Sequence, residues 1–423
     1  MSGVKKQRRK LILIGSAAIF LLALAGFTGW QLGWFDRDRL TLQVGSPGAA
    51  AGDAVDLRTD GESAGLLEER MLKLLGSGSG LVSWHQLAGK YGSPEAVASD
   101  IYSAADQLRY GWYLLEQGDR RAFQEWWLGF RAGYRTESGA FRVKADDAAA
   151  AAADSGFWRS NQMTARLLAQ SCSAWPDAQR LDDLFRLSDQ LLESHETALA
   201  SDYLANVPTS APIPDPAATP TPKPTASPAA DKPRQTAVLR LSSIDLFAMQ
   251  QLVQIDPRWQ VLAGQYLKVV EDGYLGDSLP LYALAYDQAQ DGYLPFAGDA
   301  PVVNTEEAML VMLHLCEISR LDPHSMSWLR EQIFNEKALY EFYHITQGTA
   351  ASAEECLPAY AMAARIARIQ GDRDLYAAAA DLLLWHRATN QRSPALNAIF
   401  RENADGLVRV TAIDNTWALL ALR

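Results

Sequence analysis

The sequence contains little cysteine and little basic charge, and both shortages argue against whole classes of protein. Only three cysteines occur in 423 residues, at Cys172, Cys316 and Cys356. Their odd number, wide separation and apolar helical surroundings indicate small core residues rather than a disulfide framework or a metal site. The formal net charge is −11, and no basic stripe follows the first ten residues. Because phosphate recognition needs a basic surface, this balance argues against nucleic acid as a partner.

Several motifs of catalysis and cofactor binding are also missing. No glycine-rich phosphate loop and no G-x-S-x-G nucleophile turn occurs. The histidines lack the paired spacing of a metal site, so most of them are interpreted as structural. We therefore expect neither a metal nor an organic cofactor. The six histidines are His85, His195, His314, His324, His344 and His386.

One long apolar run lies near the N-terminus. Residues 11–29 carry no charge, and such a run is long enough to cross a bilayer of ~30 Å as a helix. A cleaved signal peptide is the alternative, but its apolar part is normally shorter, ~7 to 15 residues. Trp30 and Trp34 suit the membrane interface, so the predicted anchor spans 11–34. The basic residues within 1–10 predict a cytoplasmic tail, with the rest of the chain outside the membrane.

The low cysteine content also bears on location. An exported chain that does not depend on disulfides fits a bacterial cell surface better than a eukaryotic secretory route. We therefore predict a single-pass protein of the bacterial cell membrane with an extracytoplasmic C-terminal domain.

Two segments of biased composition divide the rest of the chain. Residues 35–61, rich in glycine, alanine and aspartate from Thr41 onward, predict a spacer. Residues 207–237 are rich in proline, alanine and threonine, and bury too little apolar surface to offset the entropy of ordering. This second segment either links two domains or is inserted into one. The helices before it are too few for a complete ring, which favours a disordered insertion within a single domain, 62–423.

The remaining chain has a helical pattern almost throughout. Apolar residues recur at three-to-four spacing, several segments open with a capping residue or an early proline, and no period-two alternation is sustained. The sequence therefore predicts an all-α domain, and Asp414 is expected to cap its last helix. The predicted helices span 64–75, 94–117, 120–134, 157–170, 177–200, 242–254, 257–272, 281–290, 305–319, 323–334, 351–370, 373–389 and 412–422.

About a dozen antiparallel helices fit three architectures. These are an α-solenoid, a bundle, and a closed ring of six inner and six outer helices. A solenoid needs a fixed repeat of ~34 to 47 residues, and none is visible.

The segment Ser103–Gln117 combines an acid, a cation and aromatic rings on one predicted helix. At helical spacing Asp106, Arg109 or Tyr110, and Tyr113 share a face. A carboxyl beside a guanidinium and phenol rings is a common lining for a sugar site. The alternative is an amphipathic core helix with a solvated ion pair at its edge.

Several motifs, taken together, resemble those of glycoside hydrolase family 8. DQLRYGWYLLEQGDRRAFQEWW resembles the region that contains the family's S-E-G-Q-S-Y-G-M-L-L-A helix. FRVKADD and FWRSNQMTARLLAQS resemble its W-R-W and D-A-D-L segments, and SSIDLFAMQQLVQIDPRWQVLAGQYLKVV resembles its D-P-R-W segment. LPLYALAYDQAQDGY and VVNTEEAMLVMLHL resemble its L-P-x-D-W and Y-D-A-x-R-x-P segments. The order and spacing of these motifs over 84–423 carry the resemblance.

The resemblance implies an (α/α)6 toroid with a sugar cleft across one end. It also implies inverting hydrolysis of a β-linked polysaccharide, in which one carboxyl protonates the leaving oxygen and another, ~6.5 to 9.5 Å away, activates water. The Tyr-Gly match at 110–111 implies Asp106 as the acid. The Asp-Ala match at 307–308 implies Glu307, or its neighbour Glu306, as the base. A solvated first helical turn is the alternative role for these two glutamates.

The chain departs from the family pattern at several of these positions. Asp106 is one methylene shorter than the family's glutamate, and Leu310 stands where the family has an arginine. Arg159 lies in the segment that holds the family's sugar-orienting aspartate, where this sequence has no carboxylate in register. Trp126 and Trp127 are predicted core residues. Substrate contacts are predicted for Arg109, Tyr110, Trp112, Trp158 and Arg159.

Three functions follow from these observations. The first is a membrane-anchored glycosidase that trims a β-linked exopolysaccharide or cell-wall glycan. The second is a degenerate relative that only binds glycan beside a polysaccharide synthase. The third is a helical extracytoplasmic scaffold without a sugar role. The resemblance favours the first.

Overall fold

Twelve α-helices in the described part of the chain alternate between an inner and an outer position. The computed structural model describes residues 41–45, 47, 61–78, 80–87, 96–145, 156–200, 238–288, 291–296, 300–402 and 406–423. The inner helices are α2 (Ala104–Gln117), α4 (Phe157–Ala174), α6 (Leu246–Leu252), α8 (Thr305–Glu317), α10 (Leu357–Gln370) and α12 (Ala412–Leu422). The outer helices are α1 (Gly61–Leu75), α3 (Arg120–Tyr134), α5 (Ala178–Ala200), α7 (Arg258–Asp272), α9 (Pro323–Glu331) and α11 (Arg373–Trp385).

The inner helices form a closed ring. Each contacts the next in chain order, and α12 contacts α2, which closes the circle. Helices α3, α5, α7 and α11 pack on the inner helix that precedes them, and α1 packs on α12. This is the (α/α)6 arrangement implied by the resemblance, so the prediction of a toroid is confirmed.

The all-α prediction is wrong about the loops, which contain short antiparallel strands. The strands are β1 (Gly76–Ser77), β2 (Gly80–Leu81), β3 (Trp84–Gln86), β4 (Val97–Ala98), β5 (Val238–Arg240), β6 (Ala285–Asp287), β7 (Gly292–Leu294), β8 (Val302–Asn304), β9 (Phe342–His344), β10 (Arg401–Glu402) and β11 (Val408–Thr411). They form sheets in the orders β10-β11-β3-β4, β5-β6-β7, β8-β9 and β1-β2. Strands of two to four residues are too short for an alternation of apolar and polar residues to be recognised in the sequence. Strands β8 and β11 run directly into α8 and α12, so they help to position the starts of these inner helices.

Three local predictions are corrected by the structure. The helix expected over 94–117 begins only at Ala104, because β4 occupies 97–98. Within the segment 281–290, where a helix was expected, residues 285–287 form strand β6. Asp414 does not cap α12, because the Thr411 hydroxyl accepts the hydrogen bond from the Asp414 backbone N–H at 3.2 Å.

The cysteine prediction is confirmed. Cys172, Cys316 and Cys356 are buried and form no disulfide. Trp127 is also buried, at 1% exposure, and Trp126 packs partly buried beside it. These side chains belong to, or pack against, the main apolar cluster between the helix layers.

Part of the predicted spacer is packed against the helical body. Leu42 is buried, and the side-chain amide of Gln254 exchanges two hydrogen bonds with the backbone of Gln43, at 3.0 and 2.9 Å. The Val44 backbone N–H donates to the Ser173 hydroxyl at 3.3 Å.

Other predicted segments fall outside the described residues. These are the tail 1–10, the anchor 11–34 and the insertion 207–237. Among the residues that the structure describes, no helix combines the length and apolar character needed to span a membrane.

Gly111 tests the packing of the inner ring against the outer layer. A Cβ atom at this position lies 2.2 to 2.5 Å from ring atoms of Trp126. The Trp126 ring is held between Phe123 and Phe130, with ring centroids 5.4 and 5.3 Å away. We expect Gly111→Ala to lower the free energy of unfolding by ~1 to 3 kcal/mol in urea denaturation.

Gly129 on α3 provides the matched control. It is exposed, and a Cβ atom there meets nothing within 4 Å. Gly129→Ala is expected to raise the free energy of unfolding by about 0.5 to 1 kcal/mol, because alanine loses less backbone entropy in a helix. Similar effects of the two substitutions would contradict the packing argument.

Candidate active site

The first turns of several inner helices surround one cavity of about 450 Å³. Because each inner helix returns through an antiparallel outer helix, the inner helices are parallel and their N-termini lie at the same end. The cavity is lined by residues of α2, α4 and α8 and of the strands β3 and β11 and their flanks. Its lining residues are Ser83, Trp84, Ser103, Ala105, Asp106, Arg109, Val143, Gly156, Arg159, Ser160, Glu306, Arg409, Thr411 and Ile413.

Asp106 lies in the first turn of α2 with its carboxyl side chain only 8% exposed. One carboxyl oxygen pairs with the Arg109 guanidinium, and the other accepts a hydrogen bond from the Ser83 hydroxyl at 3.0 Å. Burial raises the pKa of Asp106 above its ordinary value, while Arg109 and Ser83 oppose this shift. A buried carboxyl with a raised pKa has the property required of a general acid.

Arg109 connects Asp106 to the last inner helix. Its Nε donates to the Thr416 hydroxyl of α12 at 3.1 Å. Burial lowers the pKa of Arg109, and the charge of Asp106 partly restores it. Arg109 lines the cavity, and its guanidinium is committed to these two partners.

Glu306 faces the same cavity from the first turn of α8, with 29% of its side chain exposed. Burial raises the pKa of Glu306, the Arg159 guanidinium at 4.0 Å lowers it, and the charge of Glu307 raises it further. A partly exposed carboxyl with a raised pKa is suited to accept a proton from water.

Glu307, the neighbour of Glu306, is held in a network of side chains. The Ser242 hydroxyl donates to its carboxylate, and Arg159 and Arg240 lie 3.5 and 3.6 Å from it. Its backbone N–H donates to the Asn304 side chain, which caps α8, at 3.0 Å. The structure therefore places Glu306 on the cavity wall. It places Glu307 among the side chains that hold the surroundings of Glu306 in position.

Arg159 links the two glutamates. It lines the cavity and lies within 4.0 Å of Glu306 and 3.5 Å of Glu307. The segment resembles one in which the family has an aspartate. In this chain the cation Arg159 lies there instead, and its positive charge offsets the negative charges of Glu306 and Glu307.

The structure corrects the predicted substrate contacts of Tyr110 and Trp112, which are not among the cavity-lining residues. The Tyr110 hydroxyl donates to Glu68 of α1 at 2.8 Å, so it joins α2 to the outer layer. The Trp112 ring is 4% exposed and lies between the guanidinium groups of Arg166 and Arg365, at 4.2 and 4.3 Å. Both side chains contribute to packing because an inner helix is surrounded by protein along most of its length.

Trp158 is corrected in the same way. It is 1% exposed and packs against the rings of Trp259 and Tyr266, with centroids 6.4 and 6.3 Å away. Its neighbour Arg159 faces the cavity, because one residue further along a helix turns the side chain by ~100°.

Sequence reasoning missed the contribution of the four-stranded sheet. Trp84 of β3 and Arg409 of β11 both line the cavity, and the Arg409 guanidinium lies 4.8 Å from the Trp84 ring centroid. Trp84 is half-buried and Arg409 is exposed. The pattern of such short strands carried no signal for Arg409, and Trp84 marked only the start of the resemblance.

Asp414 was also assigned the wrong role. Arg401 contacts both of its carboxylate oxygens at 2.8 and 2.9 Å, and Arg401 also binds Glu341 at 2.5 Å. The negative charge of Asp414 contributes to the raised pKa values of Asp106 and Glu306.

One buried group has the residue types of a metal site. Asp245, His314 and Glu317 bring one ligand atom each within 4.8 Å of one another. The Arg166 guanidinium already binds Glu317 at 2.6 and 2.7 Å and Asp245 at 3.3 Å. A protein cation therefore offsets these carboxylates, and we assign the group to the core.

Comparison with known proteins gives the fold. No protein family profile and no curated protein matches the sequence. An α-amylase from Clostridium perfringens is similar in structure at 18% identity and a TM-score of 0.67, covering 85% of this chain and 97% of that one. PssZ from Listeria monocytogenes is similar at 13% and 0.54, covering 90% and 97%. The family 8 endoglucanase Cel10 from Klebsiella pneumoniae is similar at 12% and 0.53, covering 84% and 97%. The chain has the fold of family 8 glycoside hydrolases, which confirms the resemblance at the level of the fold.

The raised pKa of Glu306 predicts a pH-dependent effect on stability. Its ordinary value is 4.5, and burial raises it in the folded protein, so the unfolded chain ionises this group first. Ionisation of Glu306 therefore opposes folding. It lowers the free energy of unfolding of the parent protein as the pH rises from the unfolded pKa through the folded pKa. We expect the free energy of unfolding of Glu306→Gln, relative to the parent, to increase as the pH rises from about 4 through the raised folded pKa.

The measurement is urea denaturation across this pH range. Glu125→Gln removes a carboxylate that is 68% exposed on α3 and controls for the change in net charge. A difference between Glu306→Gln and the parent that does not vary with pH would contradict the assigned shift.

Proposed function

We propose that this protein is a membrane-anchored, extracytoplasmic glycosidase that hydrolyses a β-linked polysaccharide with inversion of configuration. The observation that carries the proposal is the placement of Asp106 and Glu306, distant in sequence, on the wall of one cavity, each with a pKa raised by burial. The fold of family 8 glycoside hydrolases supports it, as does the presence of an endoglucanase of that family among the similar structures.

Asp106 acts as the general acid in this mechanism. Its proton passes to the glycosidic oxygen as the bond from that oxygen to the anomeric carbon breaks. The departing sugar leaves as an alcohol, and Asp106 becomes a carboxylate that Arg109 and Ser83 stabilise. Arg109 therefore favours the product state of the proton transfer.

Glu306 acts as the general base. It removes a proton from a water molecule that attacks the anomeric carbon on the face opposite the leaving oxygen, which inverts the configuration. Arg159, 4.0 Å away, stabilises the ionised form needed to begin the reaction. Glu307 acts as a positioning residue, because its contact with Arg159 at 3.5 Å orients that guanidinium.

The linkage is assigned from the motifs rather than from the neighbours alone. The similar structures include both an α-amylase and an endoglucanase. The motifs in this sequence resemble those of family 8, and that resemblance implies a β-linked substrate. An exopolysaccharide or a cell-wall glycan is the expected class, since the predicted anchor 11–34 places the domain outside a bacterial cell membrane.

A second candidate function is glycan binding without turnover, next to a polysaccharide synthase. One observation favours it: both carboxyl oxygens of Asp106 already have partners in Arg109 and Ser83. Aspartate is also shorter than the glutamate of the family, and a displacement of ~1 Å has a large effect on catalysis. In this alternative the arginines and Trp84 bind the sugar and no bond is broken.

The exchange Asp106→Asn separates these two functions. The amide keeps the volume of the side chain but cannot donate an acidic proton, so we expect kcat/KM to fall ~10²- to 10⁴-fold. The assay follows the release of reducing ends from β-glucan, chitosan and exopolysaccharide, and affinity electrophoresis follows binding. Glu125→Gln, an exposed exchange of the same type on α3, is expected to leave both unchanged. Binding by the parent without any release of reducing ends would support the second function instead.

The neighbouring glutamates are expected to differ. Glu306→Gln removes the base and should lower kcat ~10²- to 10⁴-fold, whereas Glu307→Gln should act mainly on KM through the orientation of Arg159. Steady-state kinetics of the two variants on the same polysaccharide make the comparison. A larger loss of kcat in Glu307→Gln would assign the base to Glu307.

A further inference from the structure

Residues 41–45 attach the chain to the end of the ring that is remote from the cavity. Ser173, which binds Val44, is the second-last residue of α4, and the first turn of α4 carries Arg159 at the cavity. Gln254, which binds Gln43, follows the C-terminal end of α6. We call this end, formed by the C-terminal ends of the inner helices, the base of the ring.

The attachment at the base involves both backbone and side-chain contacts. Leu42 is 3% exposed and belongs to the main apolar cluster. The Gln254 amide accepts from the Gln43 N–H at 3.0 Å and donates to the Gln43 carbonyl at 2.9 Å, as a neighbouring strand does. The chain therefore enters the domain at the base, whatever lies before Thr41.

We propose that the base faces the membrane and that the cavity opens away from it. This inference rests on the proposed anchor 11–34 and does not depend on the hydrolytic mechanism. Only residues 35–40 separate the end of that anchor from Thr41. At ~3.3 to 3.6 Å per residue, the seven steps from Trp34 to Thr41 reach at most about 25 Å.

The height of the ring disfavours the opposite orientation. Helix α4 has 18 residues, which corresponds to a length of about 27 Å, and loops extend the body further at the cavity end. If the cavity faced the bilayer, the whole height of the ring would lie between Thr41 and the membrane surface. A connection that reaches about 25 Å only at full extension would have to run straight along the side of the ring, which costs conformational entropy.

The charge of the base indicates that the tether, rather than adhesion, holds this orientation. Aspartates accept hydrogen bonds from backbone N–H groups at the starts of outer helices all around the base. Four of these aspartates also pair with an arginine or a histidine, so they present little unpaired charge to lipid headgroups of either kind. The orientation should therefore be the same over neutral and anionic lipids. These aspartates are Asp119, Asp177, Asp256, Asp322 and Asp372.

The orientation has a consequence for the substrate. A polysaccharide chain reaches the cavity from the side that faces away from the membrane. The site therefore binds polysaccharide chains that have already left the membrane surface. This fits trimming of a released or wall-associated glycan. It fits less well with contact to a chain that is still emerging from a synthase beside the anchor.

Short-range fluorescence quenching tests this proposal. The full chain is reconstituted in phosphatidylcholine vesicles that carry a quencher on the lipid headgroups. One fluorophore is placed at Arg373→Cys, an exposed position at the start of α11 on the base, or at Val97→Cys, exposed on β4 beside the cavity-lining strand β3. The three native cysteines are buried and do not compete for the label. We expect quenching to be severalfold stronger at position 373 than at position 97.

A longer tether provides the matched control. Insertion of a flexible Gly/Ser segment of about 30 residues after Leu40 lets the ring reorient and should reduce the difference between the two positions. Equal quenching at both positions with the native tether, or stronger quenching at position 97, overturns the orientation. Failure of the protein to float with the vesicles overturns the anchor itself, and the hydrolase assay on the same preparation is unaffected by either result.

Discussion

The rest of the structure depends on six parallel inner helices whose N-termini meet at one end of a closed ring. A helix N-terminus carries unpaired N–H groups and a partial positive charge, so carboxylates are stabilised in the first turn. Asp106, Glu306, Glu307 and Asp414 all occupy such turns, although Asp106, the glutamate pair and Asp414 come from distant parts of the chain. Burial raises the pKa of Asp106 and of Glu306, neighbouring negative charges raise both further, and Arg159 opposes the shift at Glu306. The same arrangement that folds the ring therefore produces two carboxyls with raised pKa values facing one cavity.

A second set of buried charges fixes the inner helices relative to one another. The Trp112 ring of α2 lies between Arg166 of α4 and Arg365 of α10, and Arg166 also binds Glu317 of α8 and Asp245 before α6. Loss of one partner leaves a buried charge uncompensated, at a typical cost of ~3 to 5 kcal/mol. This network joins four inner helices and Asp245, which caps α6, so it limits movement of the cavity walls. Catalysis by paired carboxyls requires such limits, because the rate is sensitive to displacements of ~1 Å.

The sequence was sufficient to predict the ring, and it located the site only in part. Helical spacing and the order of the motifs identified the inner helices and the turns that carry Asp106 and Glu306. They did not separate Glu306 from Glu307, because adjacent residues differ by a rotation of ~100° and their surroundings come from distant segments. Trp112 was assigned to the sugar for a related reason: an inner helix is apolar on several faces, and periodicity does not show which end is open. Trp84, on a strand of three residues, left no periodic signal, and the docking of 41–45 depends on partners far along the chain.

The most direct test of the central claim is the stereochemistry of the product. Proton NMR of a β-glucan or β-linked exopolysaccharide digest, recorded within minutes of adding the full chain, resolves the anomeric signal before mutarotation equalises the two forms. Water activated by Glu306 and a proton from Asp106 predict that the first sugar released has the α configuration. Release of the β anomer first would contradict the inverting mechanism, and the absence of any released sugar from substrates that the protein binds would contradict its assignment as a hydrolase.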